Sequence, residues 1–261
     1  MRGIIRRLFG PEVVPVFDAP LVIDRPTYAI GDIHGRFDLL VPLMRKVIAD
    51  AQDVGITSPR LVFMGDYIDR GEQSRQVLDF LFNLAHDPGD IDGEVVMLRG
   101  NHEEMLLDFL RHPAEEGARW LRSGGLQTLL SYGVGGVTAS ADAAALTNAA
   151  AKLAEAMGPH VDALARLPIQ ARFGGVFFAH AGADPSLPTS VQSPHTLVWG
   201  TRTLFSHLRD DGVWVCHGHY VVDEGELTRG RIPVDTGAYF SGKLTAVRLS
   251  DGNAHFLSAE D

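Results

Sequence analysis

The chain has 261 residues, 45% of them apolar, enough to bury a sizeable core in one large or two small globular domains. Its 33 acidic residues outnumber 23 basic ones, and a formal net charge of −10 repels a phosphate backbone at long range, which argues against general nucleic-acid binding. A single cysteine, Cys216, excludes an internal disulfide, and no stretch approaches the roughly 20 uncharged apolar residues of a membrane span.

In chain order, the basic start MRGIIRRLFG has its apolar stretches broken by arginines, so no secretory signal is expected and a cytoplasmic location is. Pro11, Pro15, Pro20 and Pro26 make residues 1–26 an extended lead-in to a single domain over 27–261. The apolar run Tyr28–Ile30 reads as a strand, and Leu39, Leu40, Leu43, Val47 and Ile48 share one helical face after it. Leu61–Met64 is a second strand. Val77, Leu78, Leu81, Phe82 and Ala85 mark a second helix, with Ser74 as its expected N-cap. Val95–Leu98 is a third strand. This alternation predicts a largely parallel sheet covered by helices.

Residues 103–167 hold no convincing strand and read as a helical insertion over one edge of the sheet, with a break at Pro113 and an alanine-rich helix over 139–157. From 169 onward the pattern changes. Runs 169–173 and 176–179 flank Gly174-Gly175, a hairpin signal, and strands follow at 213–216, 231–234, 244–249 and 254–257, with Asp251-Gly252 turning the last pair. This half is expected to form a more antiparallel sheet.

Polar residues of metal-binding type stand in five short strings, each just after an apolar run: GDIHG (31–35), GDYIDRG (65–71), GNHE (100–103), HAG (180–182) and HGH (217–219). Ligands collect beyond the carboxyl ends of strands in open α/β sheets, so five such ends can converge on one point. Asp32, His34 and Asp66 suit one divalent cation, and Asp66, Asn101, His180 and His219 a second, with Asp66 bridging. Such a pair of cations acidifies a water into a nucleophile and neutralises phosphate oxygens during attack. Arg70 is placed to grip a phosphate through its planar fork, together with Asn101 and His102. His102 is the expected general acid and Asp69 the carboxylate that orients it.

These strings resemble the phosphoprotein phosphatase family of metallophosphoesterases, whose three signature boxes GDxHG, GDxxDRG and GNHE all match here. The resemblance covers about residues 27 to 249 and is nearest the bacterial serine/threonine phosphatase branch. It implies a four-layer αββα sandwich, two mixed sheets flanked by helices. It also implies the metal ligands and acid histidine named above, and a second phosphate-binding arginine, for which Arg202 in WGTR is the candidate. The activity implied is hydrolysis of phosphomonoesters, with phosphoserine and phosphothreonine proteins or small phosphoesters as substrates and Mn²⁺, or Fe and Zn, as cofactors. Symmetrical dinucleoside tetraphosphate hydrolases share two of the boxes and are the rival reading. A non-catalytic phosphate-binding module is a third, disfavoured because no matched position is lost.

Other residues have blander readings. His217 is expected to support His219 rather than ligate, Cys216 to be a buried thiol, and Asp235 to start a turn. Tyr239 is read as core or rim packing, Arg99 as a brace for the loop before Asn101, and Glu103 as an anchor for its own loop. His86, His112, His160, His195, His207 and His255 lie off the motifs and are expected at the surface.

Overall fold

The first three apolar runs form adjacent strands, β1 (Thr27–Ile30), β2 (Arg60–Phe63) and β3 (Glu94–Met97), paired in parallel in the computed structural model, which describes residues 16–88 and 93–261. Of the lead-in, residues 1–15 lie outside those described, and 16–26 carry no helix or strand. Leu21 and Ile23 are nevertheless buried, and the carbonyl oxygens of Leu21 and Val22 accept N–H groups of Gly252 and Gly175, each at 2.8 Å. The lead-in is therefore tied to both of the turns that the sequence marks.

Helices α1 (Phe37–Asp53) and α2 (Ser74–His86) connect the three strands, and their apolar stripes face the sheet. Ser74 is not the N-cap of α2. Gln73 holds that place without a side-chain bond, while the Ser74 hydroxyl turns inward to the backbone N–H of Asp69 (3.1 Å). The helical insertion begins at Asn101 rather than 103, as α3 (Asn101–Arg111), because Gly100 in extended conformation starts the helix inside the GNHE string. It continues through α4 (Pro113–Trp120), with Pro113 in the first turn, a kinked π-type turn (Leu121–Gly125) and α5 (Leu126–Ser131). Helices α6 (Ala143–Met157) and α7 (Pro159–Ala165) complete it, with Asp142 capping α6. Phe109, Trp120, Leu129, Leu153 and Leu164 share one apolar cluster with Leu40 and Leu81, so the insertion packs into the helical layer of the main core.

The hairpin over Gly174-Gly175 forms as β4 (Ala171–Phe173) and β5 (Val176–Phe178). Beyond it the more antiparallel sheet expected here forms only in part, in the last hairpin. A short helix α8 (Pro194–Trp199) leads to β6 (Trp214–His217), then β7 (Arg231–Pro233), and β5, β6 and β7 pair in parallel. The reason is burial on both faces. Phe178 and Cys216 face the inter-sheet core, Phe177 and Val215 an outer cluster with Leu197, and two-sided burial suits parallel strands. The last hairpin, β8 (Lys243–Ser250) and β9 (Asn253–Glu260), follows the short helix α9 (Ala238–Ser241) and leaves this sheet to add antiparallel to β1. The strand orders are β3-β2-β1-β8-β9 and β4-β5-β6-β7.

The two sheets pack face to face through Ala29, Val62, Val176, Phe178, Cys216, Ile232 and Val247. Alternate residues of β1 and β2 (Tyr28, Ile30, Leu61, Phe63) face the helices instead. The result is two mixed sheets flanked by helices, with the carboxyl ends of β1, β2, β3, β5 and β6 each running into one of the five polar strings. Among the described residues, no helix is long and apolar enough to cross a membrane.

Candidate active site

Five of the six non-glycine residues with positive φ among the described residues belong to the polar strings: His34 (47°), Asp66 (51°), Asp69 (70°), Arg70 (69°) and His219 (60°). Each such left-handed residue costs about 1–2 kcal/mol, so the site concentrates backbone strain in the residues that line it.

The cup at the strand ends is centred on Asp66. Its Oδ2 lies 3.5 Å from His34 Nε2 and 3.9 Å from His102 Nε2, and its Oδ1 lies 3.4 Å from His180 Nε2. Two groups of ligand atoms form around it, one with His34 and His102, the other with His180 and His219. Asn101 joins the second group, its Oδ1 being 2.8 Å from His180 Nε2 and 2.9 Å from His219 Nδ1. Asp32 is in neither group of ligand atoms and stands beside the second, next to His219. Its Oδ2 accepts the His219 backbone N–H (3.0 Å), and its Oδ1 is buried without a hydrogen-bond partner.

These contacts fit cations. The Nδ1 atoms of His34 and His180 each lie 2.9 Å from a backbone carbonyl oxygen, of Ile68 and Met64, so they carry the proton. The Nε2 lone pair of His180 then faces the oxygens of Asn101 (2.8 Å) and Asp66 (3.4 Å), an arrangement of acceptor against acceptor that repels unless a cation lies between. Burial favours the same protonation states. It pulls His34 down to about 3 and, helped by His180, pulls His219 down to about 4, and it lowers His180 despite Asp66, leaving neutral imidazoles, the ligating form. Burial, with Asp235 and Asp66 alongside, raises the Asp32 carboxyl well above the usual range, a penalty that a neighbouring cation removes. For Asp66 burial acts upward too, but positive charge among the surrounding histidines, borne by His102, and the His102 backbone N–H outweigh it and hold the carboxyl below its ordinary value.

His102 differs from the other histidines. Its Nδ1–H donates to Asp69 Oδ2 at 2.7 Å, leaving Nε2 toward the cup. Burial opposes its protonation, yet the carboxylates of Asp66 and Asp69 prevail and raise its pKa. Arg70 reaches the mouth from the other side. Its Nη1 donates to His34 Nε2 at 3.2 Å, and its guanidinium lies 4.4 Å from the centre of the Tyr239 ring, which itself meets His34 edge-on. Tyr239 is thus a rim residue, 38% exposed.

Arg202 is exposed on a 3₁₀ turn (Arg202–Phe205), and no hydrogen bond, ion pair or ring contact joins it to the other candidate residues among those described. His217 is buried beside the cup, with Nδ1 2.9 Å from Gly218 O and Nε2 without a partner. Cys216 is fully buried, and burial pushes its thiol far up, away from nucleophile duty. Asp235 does more than start a turn. It accepts the Gly237 N–H (2.8 Å), and its buried carboxyl lies against Asp32, with burial raising it to about 6. His160 is not a plain surface residue, since its Nδ1 meets the Tyr132 hydroxyl at 2.7 Å and its ring lies against Phe82. Arg99 does brace its loop, donating to Ala165 O at 3.1 Å.

Sequence reasoning missed the surroundings of Asp69. Trp120 Nε1 donates to its Oδ2 (2.9 Å) and Thr128 Oγ1 to its Oδ1 (2.6 Å), both from the insertion. The available signal was Gly124-Gly125, a break in helical character between those two residues.

Paired sheets with a carboxylate, amide and imidazole cup at their strand ends define a metallophosphoesterase. The profile of the calcineurin-like phosphoesterase family matches residues 25–241, and the chain belongs to that family, whose members use a dinuclear metal site. It is 27% identical over 246 residues to the asymmetrical bis(5′-nucleosyl)-tetraphosphatase PrpE of Bacillus velezensis, covering 85% of this chain and 88% of that one. It is 34% identical over 101 residues to serine/threonine-protein phosphatase 1 of Salmonella typhimurium, a match that spans only 39% of either chain. A crystal structure of a suspected diadenosine tetraphosphatase superposes with a TM-score of 0.60 at 18% identity, over 94% of this chain and all of that one, a likeness of fold.

Proposed function

We propose that this metallophosphoesterase hydrolyses phosphomonoesters, with phosphoserine and phosphothreonine side chains of proteins as its substrates. The observation that carries the reading is the 2.7 Å pair of His102 and Asp69 beside the cup. A departing serine or threonine alkoxide is a strong base and needs a proton as the P–O bond breaks. A nucleotide leaving a polyphosphate chain is a weak base and needs none, so a dedicated proton donor serves the monoester best.

Asp32, His34 and Asp66 would hold one cation, and Asp66, Asn101, His180 and His219 the other. When bound, the two ions supply charge neutralisation at the phosphate and an acidified water for direct attack, with no phospho-enzyme. The remaining steps belong to side chains. Arg70 binds phosphate oxygens, with Asn101 and His102 beside it and Arg202 as an outer contact. His102 Nε2 gives its proton to the leaving oxygen while Asp69 holds the ring. Mn²⁺ suits the mixed oxygen and imidazole donors, and Fe or Zn would also fit.

A second reading, dinucleoside tetraphosphate hydrolysis, is favoured by the PrpE match along most of the chain. Turnover of a phosphoserine peptide and of diadenosine tetraphosphate, on protein loaded with one defined metal at a time, separates the two. The proposal expects kcat/KM to favour the peptide. A preference for the dinucleotide would overturn it.

A further inference from the structure

Three residues of the insertion close on the Asp69-Arg70 dipeptide through four hydrogen bonds. Trp120, at the end of α4, donates Nε1–H to Asp69 Oδ2 (2.9 Å). Thr128, in α5, donates its hydroxyl to Asp69 Oδ1 (2.6 Å) and accepts the Asp69 backbone N–H (2.9 Å). Between them, the carbonyl oxygen of Gly124 accepts the backbone N–H of Arg70 at 3.1 Å. Asp69, Trp120, Thr128 and Ser74 are all fully buried, and the Ser74 hydroxyl lies 3.0 Å from that of Thr128. Trp120 is itself fixed by stacking on Phe109, with ring centres 4.7 Å apart.

Both residues so held are in the left-handed region, Asp69 at φ 70° and Arg70 at φ 69°. Such conformations persist only where the surroundings over-determine them. Gly124 also needs its own freedom. Its φ is 112°, and a Cβ there would lie 2.6 Å from the Arg70 nitrogen, so a side chain at 124 would displace the arginine.

We infer that Trp120, Gly124 and Thr128 are positioning residues for the hydrolytic step. Trp120 and Thr128 fix the plane of the Asp69 carboxylate and, through it, the aim of the His102 ring. Gly124 fixes the point from which the Arg70 side chain starts. The inference rests on His102 as proton donor, and its two arms touch different steps. One governs departure of the leaving group, the other the grip on phosphate.

The test uses metal-loaded enzyme and two substrates, a phosphoserine peptide and p-nitrophenyl phosphate, whose leaving group needs little help from a proton. His102→Asn, the reference, should lose about 10²–10⁴-fold in kcat on the peptide and far less on the aryl ester. Thr128→Val and Trp120→Phe should show the same selectivity in smaller measure, about 10- to 100-fold on the peptide with KM little changed. Thr128→Ser, which keeps the hydroxyl, should recover most of the loss. Gly124→Ala should instead raise KM, and Ki for inorganic phosphate, alike on both substrates. Metal content and thermal midpoint, measured on every variant, identify one that has merely unfolded, and Trp120→Phe keeps the stacked ring in case Thr128→Val does not fold. Equal losses on both substrates, or none, from Thr128→Val and Trp120→Phe while His102→Asn discriminates would overturn the inference alone. A His102→Asn enzyme that does not discriminate would overturn the proton-donor reading and the inference with it.

Discussion

The carboxylate of Glu103 accepts the backbone N–H of Asp66 at 2.9 Å, so a residue of the third string sets the backbone of the second. The same fully buried carboxylate takes the N–H groups of Tyr67 (2.8 Å) and Gly100 (2.9 Å). Three donors at one acceptor fix the strained turn that carries Asp66. Glu103→Ala leaves them unpaired in the interior, and the expected loss is about 3 kcal/mol or more in denaturant unfolding. A loss under about 1 kcal/mol would mean that the turn holds itself.

Gly218 lies against Asp32. A Cβ at position 218 would stand 1.9 Å from Asp32 Oδ1, the atom that is buried without a partner. Gly218→Ala should therefore push that carboxylate out of the cup, cut bound metal as read by elemental analysis, and abolish turnover. Full metal content in that variant would show that Asp32 is not a ligand.

The guanidinium of Arg70 both contacts His34 and lies over Tyr239. Arg70→Ala should raise KM, and Ki for inorganic phosphate, by about 10- to 100-fold, the worth of a charge-assisted pair. Arg70→Lys should restore little, because an ammonium lacks the planar fork. Unchanged phosphate inhibition in Arg70→Ala would remove it from the binding step.

His160 gives a pH signature away from the cup. Burial lowers its pKa, against the pull of Asp79 and with the push of Arg75. A depressed folded value means that the unfolded chain takes the proton first. Its contribution to stability is therefore fully present above the unfolded pKa of about 6.5 and lost as pH falls toward the folded one. The stability advantage of wild type over His160→Gln should shrink between about pH 7.5 and about pH 5.5 in matched denaturant titrations. An advantage that grows on acidification would contradict the sign.

The strand ends and the polar strings after them were legible in the sequence because each string combines an apolar run, a glycine and a polar ligand type within a few residues. The fate of the last hairpin was not. The near-continuous buried run of β8 reports two covered faces, but nothing local says that its partner is β1, more than 200 residues earlier. The same blindness hid Trp120 and Thr128, which reach Asp69 from 51 and 59 residues away. Helical periodicity gives them a buried face and says nothing of a carboxylate beneath it. Ser74 looked like a cap because it opens a helix, yet its hydroxyl has a better partner inside. Asp235 looked like a turn residue, and is one, but its nearness to Asp32 follows only from the meeting of the two sheets.

The proposed mechanism needs two cations flanking Asp66, and anomalous diffraction from Mn²⁺-loaded crystals would reveal them. Two peaks about 3.5–4 Å apart are expected, one against Asp32 and His34 and the other against Asn101, His180 and His219, with Asp66 touching both. A single peak, or peaks that leave Asp66 or either group of side chains unligated, would contradict it.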